Sequence, residues 1–121
     1  MPRQTLAALI AAVAIAVVSA SAQASAPPVG PLPPGPVTSI HVRHGLLFAL
    51  VLPRRAAGLS WRGARHSDAT IARPLDEGEL NGNIVFVYRA GHPGTTTVTY
   101  ALTRDEQPRA FEARYFRITV S

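Results

Sequence analysis

The chain has 121 residues, with 12 basic and 7 acidic side chains, a net charge of +5 and no cysteine. This length supports one folded unit, and the missing thiols exclude a disulfide framework, thiolate zinc sites, a cysteine nucleophile and lipid attachment at an N-terminal cysteine. All the basic residues are arginines, scattered along the chain without interleaved aromatics, which argues against a nucleic-acid partner.

The N-terminal stretch places one cation, Arg3, ahead of an apolar run from Leu6 to Val18 and small residues ending in Ala22, Gln23 and Ala24. This is the order of charge, apolar core and small-residue cleavage site that a signal peptide requires. The run is shorter than the ~20 residues that span a bilayer. Residues 1–24 are therefore expected to be a leader removed after Ala24, with Ala22 as the alternative cleavage position, giving a periplasmic or secreted product with no stable membrane anchor. Residues 25–36, SAPPVGPLPPGP, are dominated by proline and glycine and predict an extended linker, with the folded domain at 37–121.

From residue 37 onward, short β-branched and aromatic runs recur between turn signals, and helical periodicity never lasts beyond a turn or two. Strands are predicted at 38–44, 47–52, 59–63, 69–72, 83–90, 95–103 and 111–120. Gly45, Pro53 with Gly58, residues 74–82, residues 91–94 and residues 105–108 punctuate them. Alternation puts Phe48, Leu50 and Leu52 on one face, as it does Ile84, Phe86 and Tyr88, Val98, Tyr100 and Leu102, and Phe116, Ile118 and Val120. Four such faces in about seven strands predict an all-β, immunoglobulin-like antiparallel sandwich that lacks the hallmark disulfide of such sandwiches, with Trp61 as the large filler of the core or, alternatively, an exposed binding anchor.

Chemical constellations are sparse. His41 and His44 lie three apart, a spacing that on a strand sends them to opposite faces and away from a shared metal. Ser60, His66, Ser67 and Asp68 contain the residue types of a triad but no nucleophile elbow. Asp76, Glu77 and Glu79 read as a solvated turn rather than a calcium loop. No catalytic residue, metal or cofactor is expected.

The order of elements resembles the chagasin family, immunoglobulin-like inhibitors of papain-type cysteine proteases. Gly45, Phe48, Leu50 and Leu52 followed by PRRAAGLSW match a strand leading into the family loop N-P-T-T-G-Y-x-W, with Gly58 and Trp61 in register. NGNIVFVYRAGHPGTTTVTYALTRDEQ and the final YFRITV follow the family order, and Arg104 aligns with the arginine of its R-P-W loop. The loops depart from the pattern. Arg54, Arg55, Ala56 and Ala57 replace Asn, Pro, Thr and Thr, Leu59 replaces an aromatic, the second loop keeps only Gly78 and Gly82, and Asp105 and Glu106 replace Pro and Trp.

The resemblance implies that Arg54, Arg55, Ala56, Ala57, Gly58 and Leu59 form a central wedge. Gly78 and Gly82 would flank one side, and Arg104, Asp105 and Glu106 the other. The expected partner is a papain-like cysteine protease, bound by loop insertion, and the expected state a monomer. The alternative is a non-inhibitory envelope module that recognises another exported protein through charged loops.

Overall fold

The computed structural model describes residues 27–121; the expected leader lies outside the described residues. Among the described residues the chain forms seven strands: β1 Val37–Val42, β2 Leu47–Pro53, β3 Leu59–Gly63, β4 Ala72–Leu80, β5 Asn83–Ala90, β6 Gly94–Arg104 and β7 Glu112–Val120. They make two sheets, one ordered β1-β7-β6-β3 and the other β2-β5-β4. Every pairing is antiparallel except that of β1 with β7.

The alternation that predicts the sandwich also builds its core. Leu50, Leu52, Phe86, Tyr88, Val98, Tyr100, Leu102, Phe116, Ile118 and Val120 are buried in one cluster, with Phe48 and Ile84 packed against it. Aromatic rings run through this layer. Phe48 stacks on Tyr88 at 5.5 Å, Phe86 stacks on Tyr100 at 4.2 Å, and Phe116 meets Tyr100 edge-on at 6.4 Å. The Tyr88 and Tyr100 hydroxyls share a 2.5 Å hydrogen bond that links β5 to β6 across the two sheets. Each hydroxyl would otherwise be buried without a partner, so the pair contributes an inter-sheet tie in a fold that has no disulfide. Burial raises both phenol pKa values above the ordinary range. Trp61 is inside, 8% exposed, and its Nε1 donates to the Pro53 carbonyl at 2.8 Å.

Two expectations are corrected. The strand predicted at 69–72 instead runs over Ala72–Leu80, so the segment read as a loop is mostly β-structure. Its sequence, ARPLDEGEL, has poor strand propensity, but β4 is an edge strand and pairs only with β5. An edge tolerates Pro74, which sits beside a register shift between Pro74 and Asp76, and its acidic side chains discourage further strand addition. The second correction concerns residues 27–36. They are not a free spacer but a strap lying on the four-stranded sheet, with Val29 buried and the Tyr115 amide donating to the Pro36 carbonyl at 3.1 Å. Extended proline-rich chain leaves its carbonyls unpaired, and donors on the sandwich use them.

Candidate functional site

The β2–β3, β4–β5 and β6–β7 connections emerge at one end of the sandwich. Sheet register requires this: Pro53 opposes Asn83, Leu80 opposes Asn83, and Leu59 opposes Arg104. Backbone hydrogen bonds join the three connections. The Arg54 amide donates to the Gly82 carbonyl at 3.2 Å, and the Asp105 amide donates to the Gly58 carbonyl at 3.2 Å.

The first loop, residues 54–58, is braced on both flanks. The Arg54 guanidinium pairs with the Glu79 carboxylate on β4. Arg55 forms a bidentate pair with Glu112 at the start of β7, its Nε 2.7 Å from Oε2 and its Nη2 2.8 Å from Oε1. The hydrogen bond from Arg55 is the main reason the Glu112 carboxyl lies below its ordinary pKa, and the same bond raises that of the guanidinium. Exposed ion pairs add little to global stability, but a forked pair fixes geometry. At the loop's base, Trp61 holds the Pro53 carbonyl, and its ring lies 5.7 Å from the Arg114 guanidinium. What remains outermost is Ala56, Ala57 and Gly58, all exposed. The Leu59 amide closes this tip by donating to the Ala56 carbonyl at 3.1 Å. Gly58 has φ of 85°, left-handed backbone that glycine adopts without strain. Leu59 is half-buried against the core.

The arginines that made this end look strongly charged are therefore turned aside and paired, and the projecting element is a small, neutral tip. Their carboxylate partners, Glu79 and Glu112, are 25 and 57 residues away along the chain, and no local spacing in the sequence pointed to them.

The second connection is shorter than expected. Asn81 and Gly82, with φ of 52° and 77°, form a two-residue turn with both central residues left-handed. Asn-Gly is the standard signal for such a hairpin, so this feature was readable in the sequence. Gly82 lies in this turn beside the first loop, whereas Gly78 is in β4, paired with Val85, and does not belong to a flanking loop.

In the third connection, residues 105–111, Glu106 is exposed; Arg104, expected in this loop, is instead the exposed last residue of β6, paired with Leu59. Asp105 takes left-handed backbone, φ 52°, and its carbonyl accepts from the Thr103 hydroxyl at 2.8 Å. The exposed Phe111 follows, with the Arg109 guanidinium 4.9 Å from its ring centroid.

The other constellations do not assemble. Ser60 lies in β3, whereas Asp68 is in the β3–β4 connection at the opposite end, its carboxylate taken up by the Thr70 amide and hydroxyl. Among the described residues no three His, Asp or Glu side chains gather to hold a metal ion. A cleft of about 540 Å³ opens between edge strands β3 and β4, to the side of the loop end, lined in part by Trp61, Phe86 and Tyr100.

A seven-strand immunoglobulin-like sandwich displaying three joined reversals at one end defines a chagasin-type fold. Among solved structures it is similar to the cysteine protease inhibitor EhICP2 from Entamoeba histolytica, with a TM-score of 0.58 at 10% identity over 70% of this chain and 93% of that one. Likeness at that identity is one of fold. No protein-family model matches the chain, and no curated protein matches it significantly.

Proposed function

We propose that this chain is an exported inhibitor of papain-like cysteine proteases, freed from its leader after Ala24, and not an enzyme. The observation that carries the reading is the braced tip at Ala56, Ala57 and Gly58, held between Arg54–Glu79 and Arg55–Glu112 with the other two connections beside it. A protease cleft admits backbone near its thiolate only where side chains are small, and the tip has nothing larger than a methyl group. Because the loop is braced before binding, docking loses little conformational entropy. The tip then occupies the cleft without presenting a bond for attack, while the 81–82 turn and the 105–111 connection contact its two rims.

The test is titration of a papain-like protease with the chain from residue 25 onward. Inhibition is expected, and Ala57→Trp should weaken it about 100-fold, the scale of a lost interface hot spot, without lowering thermal stability. Undiminished protease activity at micromolar inhibitor would overturn the proposal.

One observation favours a second reading, a non-inhibitory module that binds another exported protein. The two-residue hairpin turn projects too little chain to form a broad second wall. Capture of an envelope protein that depends on Asp105 and Glu106, with no effect on proteases, would support it.

A further inference from the structure

The pole opposite the first loop carries a second concentration of arginine, and there it is not matched by acid. Arg73 near the start of β4 and Arg89 near the end of β5 stand directly across from each other in the sheet register, and both are exposed. Side chains so opposed leave the same face with Cβ atoms about 5 Å apart, where like charges destabilise the pairing. Among the described residues this is the one cross-strand pair that sets two like charges against each other. The other neighbour of Arg89 is Leu47, which offers no counter-charge. The ion pairs among the described residues all lie at the loop end, on Arg54, Arg55 and Arg114.

The two arginines border an open cavity of about 480 Å³, also lined by His44, Thr70, Gly91 and His92 and by no acidic residue. Arg89 is anchored there, its Nη1 donating to the Gly45 carbonyl at 3.1 Å, which orients the guanidinium and leaves Nε and Nη2 unpartnered among the described residues. The Arg73 guanidinium has no hydrogen-bond partner among them. Backbone donors around the cavity are already committed: the Gly91 amide donates to the Ile71 carbonyl and the His92 amide to the Thr70 carbonyl, both at 2.8 Å. The neighbouring carboxylates are committed as well. Oδ1 of Asp68 accepts from the Thr70 amide at 2.9 Å and from its hydroxyl at 2.6 Å, and Oδ1 of Asp76 accepts from the Glu77 amide at 2.8 Å. The Asp68 carboxyl lies below its ordinary pKa chiefly through those Thr70 bonds, with His66 and His92 adding to the effect. Since His92 already faces Asp68, the charge left without an answer is that of the two guanidiniums.

We propose that Arg73 and Arg89 form an anion site for a phosphate dianion, either free or as a phosphomonoester. One dianion between the two guanidiniums turns their repulsion into two attractions, and each planar fork matches a pair of its oxygens. A carboxylate carries one charge and answers one arginine, whereas a phosphate group carries up to two and has three or more acceptor oxygens. The open side of the cavity leaves room for the organic part of an ester. Because the site is at the pole opposite Ala56, Ala57 and Gly58, its occupation leaves that tip free, and it does not depend on the inhibitor reading.

The test is titration of the chain from residue 25 onward with sodium phosphate at constant ionic strength. Below about 10 mM, where the general stabilising effect of phosphate on proteins is small, Tm should rise saturably, with a dissociation constant of about 1 mM. Chloride and acetate at matched ionic strength should not reproduce the rise. In nuclear magnetic resonance spectra the amides of Thr70, Gly91 and His92 should shift, and those of Gly58 and Gly82 should not. Arg73→Gln should weaken phosphate binding at least about 10-fold, and in phosphate-free buffer of low salt its Tm should equal or exceed that of the wild type, because the like-charge pair is gone. Arg73→Lys, which keeps the charge and loses the fork, should be intermediate. Arg89→Gln should also bind weakly, whereas Arg117→Gln, which removes an exposed arginine on β7, should respond as the wild type does. Glycerol 3-phosphate binding more tightly than inorganic phosphate would identify a phosphomonoester as the ligand, and equal binding the free anion. The absence of a saturable response, a response that survives in both Arg73→Gln and Arg89→Gln, or acetate binding as tightly as phosphate would overturn the assignment.

Discussion

Trp61 is the sole tryptophan and the point where core and first loop meet, so Trp61→Phe separates its two roles. Phenylalanine keeps an aromatic ring in the core but removes the indole N–H that reaches the Pro53 carbonyl at 2.8 Å. Leaving that partly buried acceptor unpaired costs about 1–2 kcal/mol, the lower part of the range for an orphaned polar group. The smaller ring forfeits roughly 40 Å² of buried apolar surface, about 1 kcal/mol more. A loss of about 2–3 kcal/mol in a domain of this size lowers Tm by roughly 10–20 °C. Circular dichroism or calorimetry should follow unfolding, since the variant has no tryptophan fluorescence. Exchange of the Leu59 amide, which closes the first loop on the Ala56 carbonyl, should also accelerate. Trp61→Ala should cost more, about 3–5 kcal/mol, because a cavity is added. A Trp61→Phe variant within about 0.5 kcal/mol of the wild type would refute the reasoning, since water would then satisfy Pro53 and the indole would not anchor the loop.

Two further outcomes follow from the loop end. The Glu112 carboxyl has a folded-state pKa below its unfolded value, chiefly through the hydrogen bond from Arg55. Its stabilising contribution is therefore present above the ordinary carboxylate pKa of about 4.3 and is lost as pH falls through the depressed folded value. In urea titrations Glu112→Gln should be less stable than the wild type at neutral pH and match it once Glu112 is protonated; a gap that persists unchanged into strong acid would contradict this. Gly82→Ala forces a side chain onto left-handed backbone, φ 77°, and should cost about 1–2 kcal/mol in thermal unfolding, so an unchanged or raised Tm would refute the turn assignment.

Much of the fold was legible because β-structure writes a period of two into the chain. Leu50 and Leu52, Phe86 and Tyr88, or Ile118 and Val120 each declare a buried face without reference to their partners. Trp61 declared itself by size. The β4 strand was legible only through its exit, Asn81 and Gly82. Beyond the buried Ala72 its residues are exposed, include three acidic side chains and are interrupted by Pro74, and they hold extended structure because β5 supplies the hydrogen bonds.

The sequence by itself determined that the chain makes a disulfide-free sandwich and that Ala56, Ala57 and Gly58 are small residues between two strands. Only the tertiary structure decided what surrounds them. Arg54 and Arg55 look like a cationic contact surface until Glu79 and Glu112 are brought beside them, and residues 27–36 look like a tether until Arg62, Arg65 and Tyr115 donate hydrogen bonds to their carbonyls. The physical reason is the same in both cases. Periodicity is a local property that each strand carries alone, whereas ion pairs and carbonyl contacts join positions many residues apart, and no pattern in either partner announces the other.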